Sequence, residues 1–122
     1  LTSSPIKGTI ARGANEEEDH ALAQALLSDP KERGENVMIC DLVRNDLSRI
    51  AQPGTVHVPE LFGIHRFRSV HQMISTVQCE VRPECDPVDI LRATFPMGSM
   101  TGAPKVRAME LIDELEGCKR GV

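Results

Sequence analysis

Two successive stretches in the first fifty residues place apolar side chains at helical spacing. The first, residues 16–28 (EEEDHALAQALLS), has an acidic first turn that favours a helix N-terminus, and its apolar stripe consists of Ala21, Leu22, Ala25 and Leu26. Residues 28–50 predict a second, longer helix, which Ser28 or Asp29 would cap with Pro30 in its first turn. Its apolar face predicts a broad buried side, formed by Val37, Met38, Ile39, Leu42, Val43, Leu47 and Ile50.

The pattern changes after QPGT at residues 52–55, which ends the second helix. From Thr55 to about Val81 the chain is rich in Val, Ile, Phe and Thr with partial alternation, which predicts two or three antiparallel strands. A loop (PECDP), a short helix (VDILRATF), a glycine-rich loop (PMGSMTG) and another helix (APKVRAMELIDELE) follow, and Thr101 could cap that last helix. Its predicted apolar face consists of Val106, Met109, Ile112 and Leu115. This order predicts a mixed α+β layer structure.

Composition removes several classes of function. The 122 residues carry a formal net charge of -4 with no basic stripe, so we expect no nucleic-acid partner. No apolar run approaches about 18 residues, so we expect no membrane span. We recognise no secretory signal and expect a cytoplasmic protein. Aromatic residues make up only 2%, which is low for a self-sufficient domain and favours a fragment of a larger fold.

The four cysteines give no strong signal of a metal site or a disulfide framework. They form no CxxC pair, and histidine is not interleaved at zinc-finger spacing, so zinc is poorly supported. We expect free thiols in a reducing compartment, at positions Cys40, Cys79, Cys85 and Cys118.

Two segments could carry ligand chemistry. Glu32 and Glu35 are three residues apart, so a helix would place both carboxylates on one face, where they could hold Mg²⁺. A solvated helix face is the alternative interpretation. The glycine-rich PMGSMTGAPK segment offers backbone N–H groups, hydroxyls at Ser99 and Thr101 and the charge of Lys105 to an anion, although an ordinary capped loop fits as well.

Two single residues are weaker candidates. Strand alternation would put His71 on one face with Ser69, Met73 and Ser75, but a lone strand histidine is more often structural. Lys7 lies in SSPIKGT beside Gly8, where the backbone permits close approach. A lysine amine becomes a nucleophile only when its surroundings favour the neutral form, and a surface lysine is the alternative.

Taken together, the motifs resemble those of the chorismate-utilising enzymes. The matching segments run from Ser4 to Gly121 in the family's order: PIKGT, KERGENVMICDLVRNDLSRI, PGTVHVPELF, VHQMISTV and FPMGSMTGAPKVRAMELIDELE. The resemblance implies a fold of antiparallel sheets with helices packed outside. Residues 1–122 would be a central part of the catalytic domain, without its N-terminal part and C-terminal end.

The resemblance also assigns roles to the candidate residues. Glu35 matches a glutamate that binds Mg²⁺, and Glu32 is its neighbour in the same motif; the metal holds the ring carboxylate of chorismate. Thr101 and Gly102 match the substrate-binding loop, which also contains Ser99, and His71 matches a histidine lining the site. A second metal-binding glutamate and the general acid would lie outside this chain. Lys105 matches the motif without an assigned step.

Lys7 distinguishes branches of the family. Anthranilate synthases resemble this stretch but carry alanine in PIAGT, whereas aminodeoxychorismate synthases carry lysine. The resemblance therefore implies that the amine of Lys7 attacks ring carbon 2 and expels the hydroxyl on carbon 4. Ammonia would then attack carbon 4 and expel the lysine, giving 4-amino-4-deoxychorismate on the route to p-aminobenzoate and folate. A glutamine amidotransferase subunit or domain would supply the ammonia.

Other interpretations stay open from the sequence. An anthranilate synthase component I is the nearest alternative, and an isochorismate or salicylate synthase is a more distant one. The isolated chain could also be a catalytically inactive piece that self-associates as a homo-oligomer through exposed sheet edges. The sequence departs from the family pattern at Gly34, where alanine is common, and at Cys79, where glycine is usual and a close strand contact could be disturbed.

Overall fold

The computed structural model describes residues 1–119 of the chain. This part combines β-strands and α-helices. The resemblance to the chorismate-utilising enzymes reaches Arg120 and Gly121, which lie outside the described residues. In chain order the elements are β1 (Thr2–Ser3), β2 (Ile6–Ala11), α1 (Glu16–Ser28), α2 (Pro30–Ser48), β3 (His57–Arg66), β4 (Val70–Gln78), α3 (Pro87–Thr94), α4 (Gly98–Thr101) and α5 (Lys105–Leu115). The predicted α+β class is confirmed.

Strand β4 is the centre of the sheet, and every pairing is antiparallel. It pairs with β3 along one edge and with β1 and β2 along the other. The β3–β4 hairpin confirms the strands predicted between Thr55 and Val81. The two N-terminal strands are missing from the sequence prediction, because Pro5 and Gly8 are turn residues and the partner strand lies more than sixty residues away.

Helix α1 begins where the sequence predicts. The side chain of Asn15 caps it by accepting from the N–H of Glu18. The stripe that faces the protein, however, differs from the predicted one, since Ala21 and Ala25 are exposed. The inward stripe starts at Asp19 and follows the i, i+3, i+4, i+7 spacing through Leu22, Ala23 and Leu26.

Helix α2 provides one side of the core. Asp29 caps it and Pro30 occupies its first turn, as predicted, and the helix ends at Ser48, two residues before the predicted end. The predicted buried face of α2 is wrong at two positions, since Val37 and Met38 are 38% and 41% exposed. The buried cluster that α2 forms with β4 and the following segments consists of Ile39, Cys40, Val43, Leu47, Ala51, Val77 and Cys79.

All four cysteines are free, as predicted. Cys40 and Cys79 are buried, and burial raises the pKa of the Cys40 thiol because the thiolate would lose its hydration. Cys79 is thus a packed core residue at the end of the central strand. Within residues 1–119, no helix is both long and apolar enough to cross a membrane.

The segment after β4 consists of three short helices. Asp86 caps α3 in a reciprocal capping box with Asp89, and the predicted short helix is confirmed. The predicted glycine-rich loop contains a four-residue helix, α4. Thr101 ends α4 instead of capping α5, which begins at Lys105 after Pro104. The predicted apolar face of α5 is largely exposed, with Val106 at 68% and Leu115 at 81%.

Candidate active site

Lys7 lies in a β-bulge of strand β2. Ile6 pairs with Ile74 and Thr9 with Gln72, so three steps along β2 oppose two along β4. Gly8 has a φ of 98°, and a Cβ there would approach Met73 Cβ to 3.2 Å. Only glycine fits this conformation and space without strain. The bulge therefore depends on Gly8, and Lys7 is half-buried within it.

The bulge brings β2 against the acidic turn of α2. A Cβ on Gly8 would lie 3.3 Å from a carboxylate oxygen of Glu32, so this glutamate packs directly beside the residue that follows Lys7. Glu35 lies one turn further on the same helix and is half-buried, with its carboxylate 3.9 Å from the exposed ammonium of Lys31. The structure thus places Lys7, Glu32 and Glu35 in one neighbourhood.

The two glutamates fit part of a magnesium site. Mg²⁺ prefers oxygen ligands and is often bound by one or two carboxylates together with waters and substrate oxygens. Within residues 1–119, no group of three His, Cys, Asp or Glu side chains is arranged to hold a metal. Glu32 and Glu35 could therefore supply two ligands, and further oxygens would have to come from the substrate, from water or from elsewhere.

Asn36 is a site residue that the sequence interpretation missed. It is fully buried, and its side-chain amide donates to the carbonyls of Lys7 and Met73, at 3.3 Å each. Its Oδ1 accepts from the hydroxyl of Ser75. A polar residue within an apolar helical stripe was the available signal, because Asn36 precedes Ile39, Cys40 and Val43 at the spacing of the buried face.

His71 lies on the inner face of β4 with Met73 and Ser75, as the alternation predicts, whereas Ser69 is exposed before the strand begins. Its Nε2 lies 2.9 Å from an oxygen of Asp19, while its Nδ1 is buried without a hydrogen-bond partner among the described residues. His71 pairs with Ile10, three residues along β2 from Lys7, which corresponds to a separation of roughly 10 Å.

Asp19 is the second missed residue, and it is only 2% exposed. The guanidinium of Arg12 donates to both of its oxygens, at 2.6 and 3.0 Å. The N–H of Gly13 and the guanidinium of Arg66 donate to it as well. These hydrogen bonds, led by that of Arg12, hold the pKa of the Asp19 carboxyl well below its usual value of 3.8, although burial opposes them.

An ionised Asp19 determines the tautomer of His71. A carboxylate can only accept hydrogen bonds, so the Nε2 that faces it must carry a proton. In a neutral imidazole the remaining lone pair is then on Nδ1. Any proton that His71 accepts would therefore be taken up at Nδ1.

The predicted substrate loop packs against a different part of α2. Gly98 is buried, and a Cβ there would lie 2.9 Å from Leu42 Cδ1, which is seven residues and about 10 Å along the helix from Glu35. Ser99 is exposed on α4, and Thr101 ends that helix beside Gly102, whose φ is 124°. The three substrate-loop candidates thus lie together but apart from Lys7.

Lys105 ties this loop to α2. Its ammonium donates to Asp46 at 2.8 Å and to the carbonyl of Thr94 at 3.2 Å, and both charged side chains are largely buried. Arg44, on the same helix, pairs with Asp41 at 2.8 Å, which leaves Asp46 to Lys105.

The comparison with protein families assigns the chain to one family. The family described as chorismate binding enzyme matches residues 1–122, and the chain belongs to this family. The resemblance to the chorismate-utilising enzymes is therefore confirmed. The predicted fold class is confirmed as well, because a solved anthranilate synthase shares the fold.

Two similar relatives are both named as aminodeoxychorismate synthases. The chain is 50% identical over 122 residues to the chloroplastic aminodeoxychorismate synthase of Arabidopsis thaliana, covering 100% of this chain and 13% of that protein. It is 52% identical over 120 residues to aminodeoxychorismate synthase component 1 of Klebsiella aerogenes, covering 98% and 27%. The chain thus spans about a quarter of the second relative and less of the first.

A solved structure of another branch is nearly as similar. Anthranilate synthase component I of Streptococcus pneumoniae superposes with a TM-score of 0.83 at 45% identity, over 99% of this chain and 26% of that protein. The fold and the family are therefore shared between branches. Overall similarity does not separate the two reactions, so the choice between them depends on individual residues.

Proposed function

We propose that the chain is the central part of the catalytic domain of an aminodeoxychorismate synthase component I. The complete enzyme would convert chorismate and ammonia to 4-amino-4-deoxychorismate for p-aminobenzoate and folate synthesis. Glutamine would supply the ammonia through an amidotransferase subunit or domain. The names of the relatives from Arabidopsis thaliana and Klebsiella aerogenes support this reaction.

The observation that carries the proposal is the position of Lys7. The side chain is half-buried in a bulge whose next residue packs against Glu32. Bulges next to active sites aim side chains, and a lysine in such a place can serve as a nucleophile. An enzyme that adds ammonia directly at ring carbon 2 has no need of an amine from the protein at this position.

The proposed chemistry uses Lys7 twice. Its neutral amine forms a bond to ring carbon 2, both conjugated ring double bonds shift by one position, and the carbon 4 hydroxyl leaves with the proton of the amine as water. Ammonia then forms a bond to carbon 4, both double bonds shift back, and the bond between carbon 2 and Lys7 breaks as the lysine nitrogen takes up a proton from the added ammonia. The net change is replacement of a hydroxyl by an amino group, with release of one water and recovery of the lysine.

The other residues would bind and orient the substrate. Glu32 and Glu35 would hold Mg²⁺, which when bound neutralises the ring carboxylate. Ser99, Thr101 and Gly102 would offer hydroxyl and backbone groups to chorismate. His71 would line the site, held in one orientation by the contact of its Nε2 with Asp19.

The 122-residue chain alone should lack activity. Glu32 and Glu35 would supply only two carboxylates to the metal, because the described residues include no group of three side chains that could hold it. The general acid is expected elsewhere in a longer protein. The exposed apolar faces of α3 and α5 support self-association of the isolated chain. The full-length protein is therefore the right material for the test.

The test is product analysis of the full-length protein with chorismate, ammonium and Mg²⁺. We expect 4-amino-4-deoxychorismate without pyruvate, identified by mass and chromatography. Lys7→Ala should lower its formation by roughly 10³-fold or more, as expected when a nucleophile is removed. When ammonium is omitted, the peptide containing Lys7 should gain the mass of chorismate less one water.

The matched control is Lys119→Ala, which removes an exposed lysine from the other end of the chain and should leave the rate unchanged. Formation of anthranilate and pyruvate by the unmodified protein would contradict the proposal and place the protein in the anthranilate branch. Retention of aminodeoxychorismate formation by Lys7→Ala would contradict the role of this lysine.

A further inference from the structure

We infer that Asn36 is a positioning residue that holds the Lys7 bulge in the geometry needed for attack on chorismate. This inference rests on the proposed function, because it gives Asn36 a role through Lys7. Asn36 is fully buried beneath the sheet, so it would not touch the substrate itself.

The bulge creates a need that Asn36 meets. An extra residue in one strand disrupts the ladder locally, and a buried carbonyl without a partner is costly. The carbonyl of Lys7 receives its hydrogen bond from the Asn36 amide, at 3.3 Å. The same amide donates to Met73, on the strand directly opposite the bulge, at 3.3 Å. Asn36 therefore joins both sides of the bulge through one planar group.

The amide can adopt only one orientation. Carbonyl oxygens only accept, so the atom of Asn36 that faces Lys7 and Met73 must be the nitrogen, whose two hydrogens are then both used. The oxygen consequently faces Ser75, whose hydroxyl donates to it. Aspartate or alanine at this position would leave carbonyls without a donor.

A second irregularity in the sheet is tied to the same residue. Between Glu60 and Gly63, β3 also has three steps opposite two on β4, and Phe62 adopts a φ of 60° there. The N–H of Phe62 donates to Ser75 Oγ at 3.1 Å, and Ser75 donates onward to Asn36. One bulge on each side of the central strand is therefore connected to the same side chain of α2.

The location of Asn36 on α2 connects this hydrogen-bond network to the proposed metal ligands. Asn36 is adjacent to Glu35 and four residues from Glu32, so the proposed metal ligands and the holder of Lys7 share one helical turn. Arg33 of the same turn lies over the ring of Phe62, 4.7 Å from its centroid. The turn cannot shift without moving Lys7, so amine and metal ligands keep a fixed spacing.

The test compares Asn36→Ala with Val77→Ala in the full-length protein. Val77 is fully buried on the same central strand but outside the network, so its truncation costs stability without freeing the bulge. We expect Asn36→Ala to lower kcat roughly 100-fold while the KM for chorismate changes less than about threefold, because a misplaced nucleophile impairs attack more than binding. Val77→Ala should leave kcat unchanged at a temperature where both variants are folded.

Ser75→Ala serves as a milder second variant should Asn36→Ala not fold. It removes the donor to Asn36 Oδ1 and the acceptor of the Phe62 N–H, but it leaves both Asn36 hydrogen bonds to the carbonyls of Lys7 and Met73. We therefore expect a loss of about 10-fold in kcat, smaller than for a fully displaced nucleophile. Amide hydrogen exchange provides a readout that does not require turnover. Exchange in the peptide covering residues 5–11 should accelerate in Asn36→Ala and Ser75→Ala but not in Val77→Ala.

The outcomes separate this inference from the proposed function. Equal kcat values and equal exchange rates in Asn36→Ala and Val77→Ala would overturn the positioning role. Formation of anthranilate by the unmodified protein would overturn the proposed function, and a fully active Lys7→Ala would overturn the role of Lys7 as nucleophile. In either case, faster exchange in Asn36→Ala would still show that Asn36 holds the bulge. The double variant Asn36→Ala/Lys7→Ala should turn over no more slowly than Lys7→Ala alone, since Asn36 acts through the lysine.

Discussion

The sheet region, residues 1–82, and the helical region, residues 83–119, differ in how completely their apolar side chains are buried. Every buried apolar side chain among the described residues belongs to the sheet region. In the helical region, neither α3 nor α5 has a buried residue, and large apolar side chains such as Leu91 and Leu115 are exposed. Buried contact therefore fixes the first region, while the second has apolar faces that the described residues leave uncovered.

The difference separates the components of the proposed site. Lys7, Glu32, Glu35 and His71 belong to the well-packed region. The substrate-loop candidates at residues 99–102 belong to the helical region, which is tied to α2 by the Lys105–Asp46 pair and by the packing of Gly98 on Leu42. The groups proposed to be catalytic are thus held in place more firmly than the groups proposed to bind chorismate.

The largest expected effect is on the sheet region, through Asp19→Asn. The change removes the charge that Arg12, Arg66 and His71 share and leaves buried donors poorly matched. We expect the melting temperature to fall by on the order of 10 °C or more, as for other broken buried charge networks. Thermal unfolding followed by circular dichroism measures it, with the exposed Asp41→Asn as the matched control.

Asp19 also predicts the direction of acid sensitivity. Its folded pKa is lower than its unfolded value near 3.8, so its ionisation stabilises the folded protein above that pH. The contribution is lost as the pH falls below about 4 towards the folded pKa. Asp19→Asn should therefore lose less of its melting temperature between pH 6 and pH 3 than the unmodified chain does. An equal loss in both would contradict the network.

The link between the two regions should be next in size. Lys105→Met keeps the length of the side chain but leaves Asp46 buried without its cation, and we expect a loss of about 3 kcal/mol in the free energy of unfolding. Urea denaturation measures the loss. Adding Asp46→Asn should recover part of it, because the unpaired charge is then gone. No recovery would mean that Lys105 contributes by packing alone.

The smallest effects come from one substitution made in both regions. Val77→Ala truncates a side chain with 0% exposure and should cost about 2 kcal/mol. Val106→Ala truncates one that is 68% exposed and should change the free energy of unfolding of the isolated chain by less than about 0.5 kcal/mol. Repeating Val106→Ala in the full-length protein sharpens the comparison, since a larger loss there would mean that another segment covers α5.

Local pattern predicted much of the fold. Helices α1 and α2, the β3–β4 hairpin and α3 follow from apolar spacing and from caps such as Asp29. Strand β2 did not follow, because its pairing with β4 is a long-range contact that no local pattern contains. The exposed faces of α2 and α5 were also beyond prediction, since spacing marks an apolar face without saying what covers it.

The candidate site was predictable residue by residue but not as an arrangement. The motifs identified Lys7, Glu32 and His71, and the structure places Glu32 beside Gly8, the residue that follows Lys7. Asp19 and Asn36 were overlooked although each is a polar residue within an apolar helical stripe. Their partners come from three strands, and only the assembled sheet brings those strands together.

The stacking of Arg33 on Phe62 also has an optical consequence. The sequence contains no tryptophan or tyrosine, so the chain has almost no intrinsic fluorescence under ordinary excitation. Phe62→Trp would place its only indole against the turn of α2 that carries Glu32, Glu35 and Asn36. Emission from that single fluorophore would then report in real time when the helix separates from the sheet.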